Sequence, residues 1–163
     1  MEEIYKKYSR LVYNYLYKLT NNTEISEELT QETFCNAIQG IKNFRRECSL
    51  NVWLCQIAKN KWKDYIIKNK KYESIPFDDN IEVQLSEEGL EETINSREEL
   101  ISLYQKIHNL DANTREVIYL RIKGDFSFKE IGRILQRNEE WARVTFYRGK
   151  LKLKEELNNE KRM

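Results

Sequence analysis

The chain has 163 residues, of which 40% are hydrophobic and 34% are charged, with a net charge of +1. Only one proline and five glycines interrupt long runs of Glu, Lys, Leu and Ile, so an all-α fold is predicted and hairpin-based sheets are disfavoured. No apolar run approaches the ~20 residues that span a bilayer, and the opening residues MEEIYKK lack the apolar segment of a signal peptide, so we expect a cytoplasmic protein without membrane insertion.

Cysteine and histidine are too sparse for the usual catalytic or metal centres. Cys35, Cys48 and Cys55 are odd in number and include no C-x-x-C pair, which indicates buried or half-buried thiols rather than a disulfide framework or a zinc site. The single histidine, His108, is expected at an exposed position of a helix. A glycine-rich phosphate loop is also missing, so the sequence predicts neither an enzyme nor a bound cofactor.

The first two helices are predicted from their apolar spacing. A continuous apolar stripe from Ile4 to Leu19 indicates one core-facing helix, and Thr23 is the expected N-cap of the next. The buried side of the second helix is expected to hold Ile25, Leu29, Ala37, Ile38 and Ile41. Another side carries polar residues at i, i+3, i+4 and i+7, namely Glu28, Gln31, Glu32 and Cys35. Spacing alone favours an ordinary solvated face for this polar set.

A third helix is predicted from about residue 49 to residue 70, and its apolar positions are rich in aromatic residues. Lysines are interleaved with the rings at Lys59, Lys61, Lys63, Lys68, Lys70 and Lys71. This pairing suits nucleic acid, because lysines neutralise phosphates while rings stack on unpaired bases. Lysines whose aliphatic stems cover a buried aromatic core would produce the same pattern, so the sequence leaves both interpretations open.

Charge is divided unevenly along the chain. From Glu73 to Glu99 there are ten acids and one base, a net charge of −9, so the remainder carries +10. We therefore expect two small helical domains, residues 1–71 and 97–163, joined by a flexible acidic linker at residues 72–96. Two basic bodies of this kind point to a polyanionic partner.

The second domain is expected to contain a helix-turn-helix. Two helices are predicted between residues 100 and 122, with Gly124 ending the second. The next helix begins with the capping box S-x-x-E at 127–130, where Phe126 and Ile131 occupy the positions of a hydrophobic staple. Residues 136–138 form the predicted turn, and Asn138 can cap the last helix.

The last helix has the pattern of a DNA-recognition helix. Its inward side is expected to hold Ala142, Phe146, Gly149 and Leu153, which leaves arginines and hydrogen-bonding groups outside. From Arg115 to Lys154 the net charge is +6, which favours DNA binding. A two-helix corner in an unrelated helical protein remains an alternative, since the pattern is short.

Both domains together resemble the small two-domain bacterial sigma factors of the extracytoplasmic-function group, in the sigma-70 family. ISEELTQETF, residues 25–34, is similar to the family's A-E-D-L-x-Q-E-x-F in region 2. FRRECSLNVWLCQIAKNKWKDYI, residues 44–66, is similar to F-R-x-x-x-x-x-x-W-L-x-x-I-A-x-N-x-x-x-D. LDANTREVIYLR, residues 110–121, resembles the segment of region 4 that precedes its helix-turn-helix.

The resemblance implies an initiation factor that binds core RNA polymerase and recognises a two-part promoter. The clamp helices of the large polymerase subunit would be bound through Glu28, Leu29, Gln31, Glu32 and Phe34. The −10 element would be bound and melted through Arg45, Arg46, Ser49, Asn51, Trp53, Asn60, Lys61 and Lys63. Amide and hydroxyl groups can address an extruded base, while cations hold its backbone.

For the second domain the resemblance implies recognition of the −35 element as duplex. By this resemblance, the contacts to the −35 element would be made by Arg115, Lys129, Glu140, Arg143, Val144, Tyr147 and Arg148. Arg143 and Arg148 would bind guanine bidentately or clamp phosphates, and Arg115 and Lys129 would hold the backbone. The polymerase flap and an anti-sigma factor are further partners that the resemblance implies.

The chain departs from the family pattern in the helix-turn-helix. Gln136 stands where glycine is usual and Trp141 where threonine is common, so no −35 sequence is inferred by analogy. Two other functions are compatible with the sequence. A stand-alone helix-turn-helix regulator would bind DNA tightly without polymerase, and a protein-interaction module would leave transcription unchanged when Arg143 and Arg148 become alanine.

Overall fold

The computed structural model describes residues 1–69 and 97–162. Every regular element in those two ranges is helical, which confirms the predicted all-α fold. The helices are α1 (Glu2–Thr20), α2 (Thr23–Gly40), α3 (Leu50–Asn69), α4 (Arg97–His108), α5 (Ala112–Ile122), α6 (Phe128–Leu135) and α7 (Glu139–Lys161), with a short 3₁₀ helix at Ile41–Asn43. The acidic linker predicted at residues 72–96 lies outside the described residues.

Helices α1, α2 and α3 belong to the first of two compact units, and each of them contacts the other two. Its core is formed by Val12, Tyr15, Leu16, Leu29, Phe34, Ala37, Val52, Leu54, Cys55, Ala58 and Trp62. Burying one Val, Leu or Phe side chain in this core stabilises the folded state by about 1.5–3 kcal/mol. This three-helix core therefore supports the exposed faces of α2 and α3.

The inward face of α2 is unusually rich in hydroxyl groups. Ser26, Thr30 and Thr33 are buried at i, i+4 and i+7. The Thr30 hydroxyl donates to the Ser26 carbonyl at 2.6 Å, and the Thr33 hydroxyl donates to the Leu29 carbonyl at 2.7 Å. Because the helix satisfies its own hydroxyls, their burial leaves no polar group unpaired. The predicted burial of Ile38 is wrong: it is 54% exposed, since this hydroxyl-bearing face occupies the inward side.

Two asparagines connect α1 to α2. Asn21 adopts the left-handed conformation, with φ 50°, and its N–H donates to the Tyr17 carbonyl at 2.7 Å, which closes α1. Asn22 is extended, and its side-chain oxygen accepts from the Ile25 N–H at 3.0 Å. Asn22 is therefore the N-cap of α2, and the predicted cap at Thr23 is wrong because Thr23 is already helical.

The second unit contains α4, α5, α7 and the first turn of α6. Helix α7 contacts both α4 and α5. A buried cluster of Leu103, Leu110, Ile118 and Leu153 forms its centre, against which Ile107, Ile122, Phe146 and Leu157 pack. Ala142 and Gly149 are also buried, so the predicted inward side of α7 is confirmed.

The start of α6 is capped as the sequence predicts. The Ser127 N–H donates to the Glu130 carboxylate at 2.9 Å, and the Glu130 N–H donates to the Ser127 hydroxyl at 3.1 Å. Phe126 and Ile131, at the staple positions, are both buried. The Asn138 side chain accepts from the Trp141 N–H at 2.7 Å and caps α7.

Gly124 is needed for close packing rather than for its backbone angles. Helix α5 ends at Ile122, and the left-handed residue of the following turn is Asp125, with φ 53°. A β-carbon on Gly124 would lie 2.6 Å from the Phe126 ring and 2.8 Å from the Leu120 carbonyl oxygen. The ring of Phe126 therefore takes the space that any side chain at position 124 would need.

Candidate polymerase-binding face and nucleic-acid interface

The polar stripe of α2 lies on the surface. Glu28, Gln31, Glu32 and Cys35 are all exposed, and we call these four residues the acidic face. The exposure of Cys35 contradicts the expectation that all three thiols would be at least half-buried. The cysteine falls here because 35 is one helical repeat after 28, on the side of α2 opposite its hydroxyls.

Two other residues that the resemblance assigns to the polymerase contact lie inside the helical bundle and not on the acidic face. Leu29 is 2% exposed and Phe34 is 5% exposed. The Phe34 ring meets the Tyr5 ring edge-on, with centroids 5.0 Å apart. A protein partner cannot reach either side chain in this conformation, so both support the acidic face from below.

A second group of candidate residues lies just before and at the start of α3. Arg45, Arg46 and Ser49 are exposed, and Arg46 adopts a left-handed conformation with φ 57°. The Ser49 hydroxyl donates to the Asn51 side-chain oxygen, so these two groups are held together. The Trp53 ring is half-buried and lies 4.7 Å from the Phe44 ring between centroids.

The remaining candidates of this unit lie in the middle of α3, around the side of the helix that carries Trp53. At 100° per residue, Asn60 lies within about 20° of Trp53, while Lys61 and Lys63 lie about 80° to either side. Asn60 is exposed and both lysines are half-buried. This arrangement is a strip with an amide and a ring at its centre and a cation on each side.

The aromatic residues of α3 do not all face the same way. Trp62 is 5% exposed and stacks on Tyr65, with centroids 5.9 Å apart, inside the bundle. The interpretation as a buried aromatic core covered by lysines therefore holds for Trp62. Trp53 is the half-buried tryptophan beside the lysines, so it is the ring of this pair that a nucleic acid can reach.

The outer side of α7 carries most of the second unit's candidates. Glu140, Tyr147 and Arg148 are exposed, and Val144 is half-buried. Tyr147 is 54% exposed and Leu151, one turn further on, is 59% exposed, so this side of the helix is partly apolar. Lys129 is exposed in the first turn of α6.

Arg115 has a structural contact within the unit. It is half-buried in α5, and its guanidinium donates to the His108 carbonyl at 2.8 Å. This bond ties the start of α5 to the end of α4. His108 itself is half-buried at the end of α4, where its carbonyl accepts the Arg115 bond, so the prediction of an exposed histidine is wrong.

Arg143 is held by three groups of its own unit. Its two terminal nitrogens donate to Glu140 and Glu139, each at 2.9 Å, and its guanidinium lies 5.5 Å from the centre of the Phe128 ring. Arg121 packs on the same ring at 4.3 Å. Glu139 is not among the residues that the resemblance assigns to DNA binding, although its i, i+4 spacing to Arg143 is a sequence signal for this pair.

Asp111 caps α5 beside the basic side of α7. Its carboxylate accepts from the Thr114 hydroxyl at 2.6 Å and from the Thr114 N–H at 3.1 Å. The hydroxyl bond is the main reason that the pKa of Asp111 lies below its usual range, and the charge of Lys152 lowers this pKa further. Asp111 is therefore a fixed negative charge next to a surface that is otherwise basic.

Groups suited to other chemistry are few in the described part of the chain. Within residues 1–69 and 97–162, no set of three or more His, Cys, Asp and Glu side chains is placed to hold a metal ion. Burial raises the pKa of the Cys55 thiol to about 12. None of the described helices is long and apolar enough to cross a membrane.

A protein-family model matches the part of the chain that forms the first three helices. Residues 4–72, which cover α1 from its third residue onward and all of α2 and α3, match the family model of sigma-70 region 2. The chain is 27% identical over 162 residues to RNA polymerase sigma factor YlaC of Bacillus subtilis, covering 96% of this chain and 91% of that protein. It is also 27% identical to the ECF RNA polymerase sigma factor SigM of the same organism, over 94% of this chain and 93% of that one. Residues 4–72 are thus similar to sigma-70 region 2, and the chain over most of its length is similar to RNA polymerase sigma factors of the extracytoplasmic-function group.

A solved structure shares the fold of this chain. The sigma factor RpoE from Bartonella quintana, crystallised with the anti-sigma factor NepR, matches with a TM-score of 0.70 and 18% identity over 96% of both chains.

Proposed function

We propose that this chain is a sigma factor of the extracytoplasmic-function group that binds core RNA polymerase, recognises the −10 and −35 elements of promoters, and promotes melting of the duplex. The observation that carries the proposal is the presence of a region 2 match on α1 to α3 together with a capped helix-turn-helix formed by α6 and α7. We place the functional domains at residues 1–71 and 97–163, with the acidic linker at 72–96 between them.

The acidic face of α2 is the proposed polymerase contact. Glu28, Gln31 and Glu32 project from one exposed side, where two carboxylates flank an amide. Charged groups at such a rim steer association and fix the orientation of the partners. Leu29 and Phe34, being buried, would act by keeping α2 in place. The clamp helices and the flap of polymerase are the proposed partners.

The strip on α3 is the proposed −10 contact. Lys61 and Lys63 would neutralise phosphates on either side of a single strand, and Asn60 would address a base edge. The half-buried Trp53 ring offers a stacking surface, with Arg45 and Arg46 nearby in sequence. Extruding a base costs a few kcal/mol, and capture of the single strand on this strip offsets that cost. Ser49 and Asn51 would hold the start of α3 in the required shape.

Helix α7 is the proposed −35 contact, entering the major groove of duplex DNA. Tyr147 and Val144 offer apolar atoms to thymine methyl groups, and Arg148 is exposed for a bidentate contact with guanine or a phosphate clamp. Lys129, at the start of α6, would contact the DNA backbone. Arg115 would also contact it, from a position fixed by its bond to the His108 carbonyl.

The proposed activity is binding, without catalysis by this chain, because RNA synthesis is performed by the polymerase. A regulatory partner is also proposed. The similar structure was solved with an anti-sigma factor, and we propose that a protein of that class binds this chain. An anti-sigma factor that covers either DNA-binding surface or the acidic face would block initiation.

Transcription in vitro tests the proposed function. Purified chain is added to core RNA polymerase on a library of bacterial promoter fragments, and run-off transcripts are sequenced. We expect discrete start sites that depend on the chain and are lost when Arg148 becomes alanine. Transcription that is the same with and without the chain would contradict the proposal, and tight sequence-specific binding without polymerase would favour a stand-alone regulator.

A further inference from the structure

The arginine fork is the arrangement in which Glu139 and Glu140 both accept hydrogen bonds from Arg143. Each of the two terminal guanidinium nitrogens is used by a different carboxylate, at 2.9 Å in both cases. The Phe128 ring covers one side of the guanidinium. Arg143 is therefore held on two edges and one face by groups of its own unit.

Stability alone does not explain two acids on a helix that approaches a polyanion. Their side chains are 49% and 70% exposed, and exposed ion pairs typically contribute only about 0–1 kcal/mol. Acids in the first turn also favour the helix dipole, by a similarly small amount. Against this, two carboxylates at a DNA surface repel phosphates and weaken sequence-independent binding.

The fork also changes what Arg143 can bind. Glu139, Glu140 and Arg143 together carry a net charge of −1, so a phosphate is a poorer partner for Arg143 than for an arginine without carboxylate partners. A base edge is uncharged and offers acceptors to the remaining N–H groups of the guanidinium. The aromatic contact and the two hydrogen bonds restrict the orientation in which those N–H groups point.

We propose that Glu139 and Glu140 are positioning residues that make Arg143 a base-recognition group instead of a phosphate clamp. The inference rests on the proposed function and goes beyond it by assigning specificity to the carboxylates. The expected base is guanine, whose O6 and N7 accept from arginine. The two glutamates thus lower overall affinity for DNA and raise discrimination between sequences.

The test compares base preference with overall DNA binding. Full chain and core polymerase transcribe a promoter library that is randomised over the upstream element, and each position is scored for base enrichment. The variants are Glu139→Gln, Glu140→Gln and the double variant, with Glu155→Gln as control because it removes an exposed α7 carboxylate further along the helix. Binding of the chain to a random-sequence duplex is measured alongside, and thermal unfolding checks that each variant is folded.

In the double variant, the enrichment of guanine at one upstream position should fall by a factor of at least about five. The same variant should also bind the random duplex more tightly, since two negative charges are removed. The control variant should keep the wild-type base preference. Arg143→Lys, which keeps the charge but cannot make the fork, should lose the same preference with both glutamates present.

Two results would overturn the inference. Base preferences that are equal in the wild type and the double variant would show that the carboxylates only repel DNA. Retained preference in Arg143→Lys would show that the fork is not the recognition group. Failure of the wild-type chain to support any transcription would instead contradict the proposed function, so the two failures are distinguishable.

Discussion

Gly149 of α7 faces Thr114 of α5 so closely that a β-carbon on the glycine would lie 2.5 Å from the threonine methyl group. The Ile118 side chain would lie at 3.0 Å from the same β-carbon. Thr114 cannot turn away without cost, because its hydroxyl donates to Asp111 at 2.6 Å in the cap of α5. This contact fixes the spacing of α7 on the helix that supports it.

Gly149→Ala is expected to destabilise the second unit by about 1–2 kcal/mol, because the cost of overpacking exceeds the helix propensity that alanine gains. Urea unfolding followed by circular dichroism measures the change, and hydrogen exchange in α5 assigns it to this unit. The matched background is Thr114→Ser, which keeps the hydroxyl and removes the methyl group. In the Thr114→Ser background, Gly149→Ala should destabilise the unit much less. An equal loss of stability in the wild type and in Thr114→Ser would contradict this explanation.

Gln136→Gly is expected to stabilise the protein by about 0.5–1 kcal/mol. Gln136 has φ 58°, a conformation that costs a residue with a β-carbon about 1–2 kcal/mol, which exceeds the entropic cost of glycine. Gln136→Ala serves as control, since it keeps the β-carbon and should gain nothing. A lower unfolding midpoint for the glycine variant would show that the Gln136 side chain contributes more than the strain removes.

Much of the helix-turn-helix could be predicted from sequence because its signals are local. The capping box at Ser127 and Glu130 and the cap at Asn138 depend on neighbouring residues, and all three were identified. The helical stripe of α1 was equally clear. These features need no knowledge of distant parts of the chain.

Other features depended on packing that no local pattern specifies. Ser26, Thr30 and Thr33 occupy the inward face of α2, so the apolar Ile38 is left exposed. The choice of Asn22 over Thr23 as cap depends on which residue adopts the extended conformation. Leu29 and Phe34 belong to a motif of the family, but a motif does not say which of its members reach the surface. The close approach of Gly149 to Thr114 likewise appears only once two helices are packed.

The cap at Asp111 predicts a dependence of stability on pH. Because the pKa of Asp111 is lowered by its bonds to Thr114, the cap contributes fully above the ordinary aspartate pKa of about 3.9 and is lost as the pH falls through the lower, folded-state value. Asp111→Asn keeps a capping side chain but does not titrate. The free energy of unfolding of the wild type should therefore fall relative to this variant between about pH 5 and pH 3, and parallel curves would contradict the assignment.

Cys35 provides a direct probe of the acidic face. It is exposed, so a maleimide should modify it readily, while Cys55 should resist because it is buried and its pKa is about 12. Core RNA polymerase is expected to slow the labelling of Cys35 severalfold, measured by mass spectrometry of the modified peptide. Equal labelling rates with and without polymerase would place the contact elsewhere on the chain.

The central claim is that this chain works as part of a polymerase holoenzyme through the acidic face of α2. Size-exclusion chromatography with core bacterial RNA polymerase tests it most directly, using Glu32→Arg and the control Asp64→Arg, which alters an exposed α3 acid by the same charge. The account predicts that the wild type and the control co-elute with polymerase, while Glu32→Arg is largely lost from that peak. A wild-type chain that elutes alone, or a Glu32→Arg variant that is retained as well as the wild type, would contradict it.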